Sequence, residues 1–209
     1  MTTIMDEKML SSGTALLLVS YQNDYFGETG LLHQVVEESS KVNNTISNTI
    51  FTIANLPADV PIVTAPMHFT PTYEELIDPV GILKMIKDIR AFQAGTEGAK
   101  TIAPLLPFGD RIIDVRGKRG FNAFAHTNLD QLLRQKGVTR VAVAGAITSI
   151  CIDSTGRGAH ELGYQVSILS DCTAARTLFE QDFYCQHIFP TYAEVLTHQE
   201  FLNHFTVAA

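Results

Sequence analysis

The sequence has few of the features that mark secreted, membrane or nucleic-acid-binding proteins. Its three cysteines are an odd number without the spacing of a disulfide framework, which favours a reducing compartment. The N-terminal segment has no apolar signal-peptide core, and no run reaches the ~18 apolar residues of a membrane span. The net charge of -7 argues against a nucleic-acid partner, because phosphate binding needs a basic surface. We expect a cytoplasmic protein that binds neither membranes nor nucleic acid.

The motifs of common metal and cofactor enzymes are also missing. The chain has no HExxH, paired CxxC, Walker loop, GxSxG or GxGxxG motif. His68 lacks a carboxylate two residues before it, so we predict no metal and no cofactor. The 209 residues, 45% hydrophobic and 18% charged, suit one globular domain over 1–209.

Apolar, strand-like runs alternate with longer amphipathic segments along the chain. The segment 70–109 is irregular and indicates a loop with one short helix. The pattern predicts an α/β fold, a three-layer α/β/α sandwich around a doubly wound parallel sheet of about six strands. The predicted strands are 14–20, 60–66, 111–115, 139–145, 164–171 and 193–197, and the predicted helices are 35–56, 128–137 and the segment after residue 151.

Three polar segments follow predicted strands of this sheet. They are SYQNDYF (20–26), RGKRGFNAF (116–124) and AITSIC (146–151). In a doubly wound sheet, ligands bind at the carboxyl ends of the strands. We therefore expect these three segments to meet at one edge and to form the functional site.

Cys151 is the strongest catalytic candidate. It lies where a buried strand gives way to a helix, after the possible N-caps Thr148 and Ser149, and a helix N-terminus favours a reactive thiolate. Backbone N–H groups of this turn could stabilise an oxyanion. Gly156 and Gly158 weaken the helix and indicate close packing against the sheet. The alternative is a small buried core thiol.

Lys118 is the second candidate. With Arg116 and Arg119 beside it, it could be a solvated surface lysine. Near Cys151, it would instead lower the pKa of the thiol and hold an acid in place.

The first polar segment offers the remaining candidates. Asp24 could act as an acid or could simply cap a turn, and Ser20 is a poor general base by itself. Gln22 and Tyr25, with Phe121 of the second segment, could line a pocket or cover the sheet.

Three stretches resemble the isochorismatase-like family of hydrolases, which includes cysteine amidases such as nicotinamidase, N-carbamoylsarcosine amidase and ureidoacrylate amidase. They are ALLLVSYQNDYF, KRGFNAFAHTNLDQLLRQKGVTRVAVAG and GAITSICIDSTGRGAHELGYQVSILSDCTAA. The resemblance implies an Asp–Lys–Cys triad, in which Lys118 and Cys151 match the lysine and the nucleophile. It also implies a cis peptide between Ala146 and Ile147, in a turn that includes Ile150 and directs backbone N–H groups toward the substrate carbonyl oxygen.

The sequence departs from the family pattern at the acid. The family has D-x-Q after the first strand, whereas this chain has S-Y-Q, with Ser20 in the place of the acid. We hypothesise that Asp24 substitutes for it. The metal-binding members carry D-x-H, which is Pro66-Met67-His68 here. We predict a substrate pocket formed by Ser20, Gln22, Tyr25, Arg119 and Phe121.

These observations predict a hydrolase that cleaves a small amide-type (C–N) substrate through a thioester on Cys151. One alternative is an isochorismate pyruvate-hydrolase, in which an acid protonates a vinyl ether and Arg116 or Arg119 binds substrate carboxylates. A second alternative is a catalytically silent relative that acts as a binding protein. We expect a small-molecule substrate and, from the resemblance, a homo-oligomer, either a dimer or a tetramer.

Overall fold

The computed structural model describes residues 13–206 and contains a six-stranded parallel sheet. The strands lie in the order β3-β2-β1-β4-β5-β6, and every neighbouring pair is parallel. The strand order reverses between β1 and β4, as the prediction of a doubly wound sheet requires. The strands are β1 (Thr14–Val19), β2 (Ile62–Ala65), β3 (Ile112–Asp114), β4 (Arg140–Ala146), β5 (Gln165–Ala174) and β6 (Glu194–Leu196).

Helices cover both faces of the sheet. The α-helices are α1 (Asn23–Phe26), α2 (His33–Val42), α3 (Thr45–Asn55), α4 (Gly81–Ile89), α5 (Leu129–Gln135), α6 (Asp153–Glu161), α7 (Leu178–Phe183) and α8 (His198–Thr206). Short 3₁₀ segments span Ala103–Arg111 and Phe189–Thr191, and π-helical turns span Thr148–Ile152 and Tyr184–Ile188. No helix of residues 13–206 is long and apolar enough to cross a membrane.

The two hydrophobic cores follow from the alternation of side chains along the strands. Leu16 and Leu18 of β1 belong to the core that α2, α3, α4 and α8 cover. Leu17 and Val19 belong to the opposite core, which α5 and α6 cover. The predicted three-layer α/β/α sandwich is therefore confirmed.

Local structure differs from the sequence prediction in two regions. The predicted helix 35–56 is two helices, α2 and α3, because Asn44 adopts a left-handed conformation with φ of 52°. The segment 70–109 contains α4 and the 3₁₀ turn that begins at Ala103, so it is more ordered than we predicted.

The glycines of α6 allow the close packing that the sequence indicated. A Cβ atom on Gly156 would lie 2.8 Å from the hydroxyl of Tyr192, and one on Gly158 would lie 2.3 Å from the amide nitrogen of Asn122. Side chains at either position would push α6 away from its neighbours. These contacts fix the helix that begins just after Cys151.

Candidate active site

Cys151 lies in the π-helical turn Thr148–Ile152, between β4 and α6, and its side chain is almost completely buried. The peptide bond between Ala146 and Ile147 is cis, as the family resemblance implies. The expectation that Thr148 or Ser149 caps the helix is wrong. No side chain caps this turn or α6, and the Thr148 hydroxyl donates to Oε1 of Gln181 at 2.6 Å instead.

Lys118 is fully buried, so the interpretation as a solvated surface lysine is wrong. It follows β3, where a parallel bridge to Met67 extends the pairing of β2 and β3 toward the edge of the sheet. Its Nζ atom lies 3.6 Å from Sγ of Cys151 and 3.4 Å from Oγ of Ser20. Burial lowers the pKa of the Lys118 amine, because an ammonium loses its hydration inside the protein.

Ser20 directly follows β1, and its side chain reaches Lys118 from the end of that strand. It is fully buried, and its φ of 59° is in the left-handed region. Among residues other than glycine, asparagine and aspartate adopt this region most readily. The backbone at Ser20 is therefore one that an aspartate could also adopt.

Asp24 does not join this cluster by any hydrogen bond or ion pair of the described residues. Its carboxylate accepts hydrogen bonds from the backbone N–H of Phe92 at 2.5 Å and of Leu31 at 3.3 Å. A Cβ atom on Gly98 would lie 2.2 Å from Oδ1 of Asp24, so the backbone at Gly98 covers the carboxylate. Asp24 thus connects α1 to the segments before α2 and after α4, and these contacts do not support its expected role as the substitute acid.

Two further residues of the first polar segment are buried beside this cluster. Gln22 donates from Nε2 to the carbonyls of Met67 and Ala99 at 2.7 and 2.8 Å and accepts from the N–H of Met67 at 2.8 Å. Its amide therefore holds backbone together rather than facing a ligand. Burial raises the pKa of Tyr25, and the nearby charges of Cys151 and Asp24 raise it further. Tyr25 is therefore close enough to Cys151 for a charge on the thiol to affect the pKa of the tyrosine.

The second polar segment holds two expected pocket residues, Arg119 and Phe121, and the further candidate Arg116. Arg119 is exposed. Phe121 is partly buried and packs against the core beneath α5 and α6, which includes Cys151. Arg116 is exposed and pairs with Asp114 at 2.8 Å. None of these three side chains has a contact to Cys151 or Lys118 among the hydrogen bonds and ion pairs of residues 13–206.

The backbone donors of the turn are not all available to a substrate. The N–H of Ile150 donates to the carbonyl of Ile147 at 3.0 Å, and the N–H of Ile152 donates to the same carbonyl at 3.1 Å. The expected contribution of Ile150 to an oxyanion hole is therefore unsupported, because its donor is already used within the turn.

Sequence reasoning missed Gln181, which supports the turn from α7. It is buried, and it accepts from Thr148 and donates from Nε2 to the carbonyl of Ser170 at 2.8 Å and to Oγ1 of Thr173 at 2.9 Å. These bonds connect the turn that carries Cys151 to the end of β5. No sequence pattern identifies this residue, because α7 is only six residues long.

Within residues 13–206, no three His, Cys, Asp or Glu side chains are grouped closely enough to hold a metal ion. The site combines three buried groups, the amine of Lys118, the thiol of Cys151 and the hydroxyl of Ser20. These residues follow β3, β4 and β1, respectively.

Comparisons with known proteins agree with this architecture. Two uncharacterized isochorismatase family proteins, YecD of Escherichia coli O157:H7 and YwoC of Bacillus subtilis, are each 35% identical over 86 residues, 41% of this chain. The match spans 46% of the length of these two relatives.

Longer matches include a probable inactive nicotinamidase of Arabidopsis thaliana, 29% identical over 78% of this chain and 82% of the relative. Ureidoacrylate amidohydrolase RutB of Agrobacterium fabrum is 27% identical over 78% of this chain and 76% of the relative. The crystal structure of a cysteine hydrolase from Pseudomonas syringae pv. phaseolicola 1448A has the same fold, with a TM-score of 0.78, 22% identity and coverage of 96% of this chain and 93% of that chain.

The isochorismatase domain model matches residues 14–200, which include all six strands and the cluster of Ser20, Lys118 and Cys151. The chain therefore belongs to the isochorismatase family of hydrolases.

Proposed function

We propose that this protein is a cysteine hydrolase that cleaves the C–N bond of a small amide-type molecule. The observation that carries the proposal is the contact between Nζ of Lys118 and Sγ of Cys151 in a buried site. A thiol beside an amine can transfer its proton and become the nucleophilic thiolate. The amidohydrolase name of one relative supports an amide-type substrate such as ureidoacrylate.

Lys118 is the proposed general base. Burial lowers its pKa, which increases the share of uncharged amine that can accept a proton at neutral pH. The proton of Cys151 moves from Sγ to Nζ, and the thiolate forms a bond to the carbonyl carbon of the substrate. The ammonium of Lys118 then donates this proton to the nitrogen of the departing amine as the C–N bond breaks.

The backbone of the turn stabilises the charge on the substrate oxygen in this mechanism. We assign that role to the N–H groups of Ile147 and Cys151, since the N–H of Ile150 is used within the turn. The product of the first step is a thioester on Cys151. Water then hydrolyses the thioester, which releases a carboxylic acid and restores the thiol.

The test combines turnover with direct detection of the thioester. A panel of amides and carbamoyl compounds is screened for release of ammonia or amine, and the reaction is quenched with acid for mass spectrometry of the intact protein. We expect an acyl adduct on Cys151 in the wild type and neither adduct nor turnover in Cys151→Ala. Cys185→Ser is the matched control, because Cys185 lies in the turn Tyr184–Ile188 after α7 and its thiol accepts a hydrogen bond from Gln181, which a serine hydroxyl can also accept. Turnover that persists in Cys151→Ala would contradict the mechanism.

A catalytically silent binding protein is the second candidate, and one observation favours it. Ser20 replaces the acid of the family pattern, and Asp24 is engaged by backbone N–H groups. A relative of similar length is named a probable inactive nicotinamidase. The alternative of isochorismate hydrolysis has less support, because protonation of a vinyl ether needs an acid that neither Ser20 nor the engaged Asp24 supplies.

We also propose that the protein acts on its small-molecule substrate as a homo-oligomer. Ile77, Val80 and Phe179 are 87%, 80% and 78% exposed, and contact with a second copy of the chain would bury this apolar surface. Light scattering on purified protein would give the molecular mass in solution, and a monomer at micromolar concentration would contradict this part of the proposal.

A further inference from the structure

Lys118 is buried without an acidic partner among the described residues. Its hydrogen-bond contacts are the Cys151 thiol and the Ser20 hydroxyl, at 3.6 and 3.4 Å. Burial lowers the pKa of Lys118, and the charge and hydrogen bond of Cys151 act in the opposite direction. An ammonium has three N–H donors, and a buried charge without a counter-ion is costly. The Cys151 thiolate offsets the charge of the ammonium only until it attacks the substrate, so a further anion at the site would stabilise the ammonium through the rest of the reaction.

The position of the missing acid is specific. Ser20 offers one hydroxyl where the family pattern has a carboxyl group, and this hydroxyl is in contact with Nζ. The nearest acidic residue along the chain, Asp24, has its carboxylate bound by the N–H groups of Phe92 and Leu31. A hydroxyl can donate as well as accept, so Ser20 and Lys118 together present O–H and N–H donors to an incoming anion.

We propose that the substrate itself supplies the carboxylate that the protein lacks. The inference rests on the proposed function and narrows it to small amides that carry a carboxylate a few bonds from the scissile carbonyl. The carboxylate binds Nζ of Lys118 on the side of Ser20 and accepts a hydrogen bond from Oγ. The scissile carbonyl then lies over Sγ of Cys151.

The charges balance in this arrangement. Proton transfer from Sγ to Nζ turns a neutral thiol and a neutral amine into a thiolate and an ammonium, with no change in total charge. The substrate carboxylate stabilises the ammonium by a charge-assisted hydrogen bond. Neutral amides lack this interaction, so the same proton transfer is less favourable when they bind. Substrate charge thereby selects which amides activate the nucleophile.

Iodoacetate and iodoacetamide test this inference without a known substrate. The two reagents share a leaving group and differ in carrying a carboxylate or a neutral amide. The second-order alkylation rate at Cys151 is measured for each by peptide mass spectrometry, in the folded protein and in protein unfolded by urea. We expect the iodoacetate-to-iodoacetamide rate ratio to be roughly tenfold higher in the folded protein, which is what one hydrogen bond to a charged group contributes.

Variants of Ser20 separate charge from shape. Ser20→Asp places a protein carboxylate beside Lys118 and should return the ratio to its value in unfolded protein. Ser20→Asn is the matched control, since its side chain has the same shape without the charge and should keep the raised ratio. Circular dichroism and thermal unfolding confirm that both variants fold.

Three results would overturn the inference. In the first, the iodoacetate-to-iodoacetamide rate ratio is equal in folded and unfolded protein. In the second, the ratio is raised in the folded protein and stays raised in Ser20→Asp, which would mean that the anion binds elsewhere. Either result leaves Cys151 as a reactive nucleophile and the proposed function intact. If Cys151 reacts with neither reagent in the folded protein, the proposed function fails and the inference fails with it.

Discussion

Nζ of Lys118 and Sγ of Cys151 lie 3.6 Å apart, although 33 residues separate them in the chain. Both side chains are buried, one after β3 and the other after β4. Strands β2 and β1 lie between these two strands in the sheet, so the loops themselves bring the amine to the thiol. This pair is the centre of the proposed active site.

We expect the kcat of amide hydrolysis to fall by about 100-fold or more in both Lys118→Arg and Lys118→Met. A general base contributes a rate factor of this size. Arginine keeps the positive charge but stays protonated and cannot accept the thiol proton. In the wild type, activity should fall as the pH drops through the lowered pKa of Lys118, because the base is then protonated. Steady-state kinetics from pH 5 to pH 10 measure both effects. Full activity in Lys118→Arg would assign the lysine to charge stabilisation instead.

The same lowered pKa predicts how stability depends on pH. The unfolded chain binds a proton at Lys118 between the lowered pKa of the folded state and its ordinary value, whereas the folded chain does not. The free energy of unfolding should therefore rise with pH across that interval. Urea unfolding at several pH values in that interval should show this rise in the wild type and a smaller rise in Lys118→Met. Equal slopes in the two proteins would contradict the lowered pKa.

Gln181 should act as a positioning residue for the turn that carries Cys151. Thr148→Val removes the 2.6 Å hydrogen bond to Gln181 and leaves a buried amide oxygen unpaired, which should cost about 1–3 kcal/mol of stability. Gln181→Leu removes the other side of the same bond. A double-mutant cycle measured by urea unfolding and by kcat should show that the two losses are not additive. Additive losses with an unchanged pH profile of kcat would indicate separate structural roles.

Asp24→Asn distinguishes a structural carboxylate from a catalytic one. Asparagine keeps one acceptor for the N–H of Phe92 or Leu31 but not both, so the variant should lose about 1–3 kcal/mol of stability. The value of kcat should change by only a few-fold at a temperature where the variant is folded. Loss of kcat by several orders of magnitude in a folded variant would restore Asp24 as the acid.

The sequence was sufficient to predict the sheet, because each buried strand leaves a signal in a short stretch of consecutive residues. Buried parallel strands are continuous apolar runs, and the six runs in the chain all correspond to strands. It was insufficient at α7 and at the division between α2 and α3. A six-residue helix has too few turns to show a period, and a left-handed residue such as Asn44 gives no hydrophobic signal.

By itself, the sequence determined the layered fold and the candidates Cys151 and Lys118, because side-chain chemistry and strand order are properties of the chain. Only the tertiary structure decided which polar groups meet. Asp24 is four residues from Ser20, yet its carboxylate is held by the backbone of Phe92, which lies 68 residues away. The cluster of amine, thiol and hydroxyl likewise combines loops after three strands. Hydrogen bonds between distant segments have no local pattern, since their partners come together only when the sheet forms.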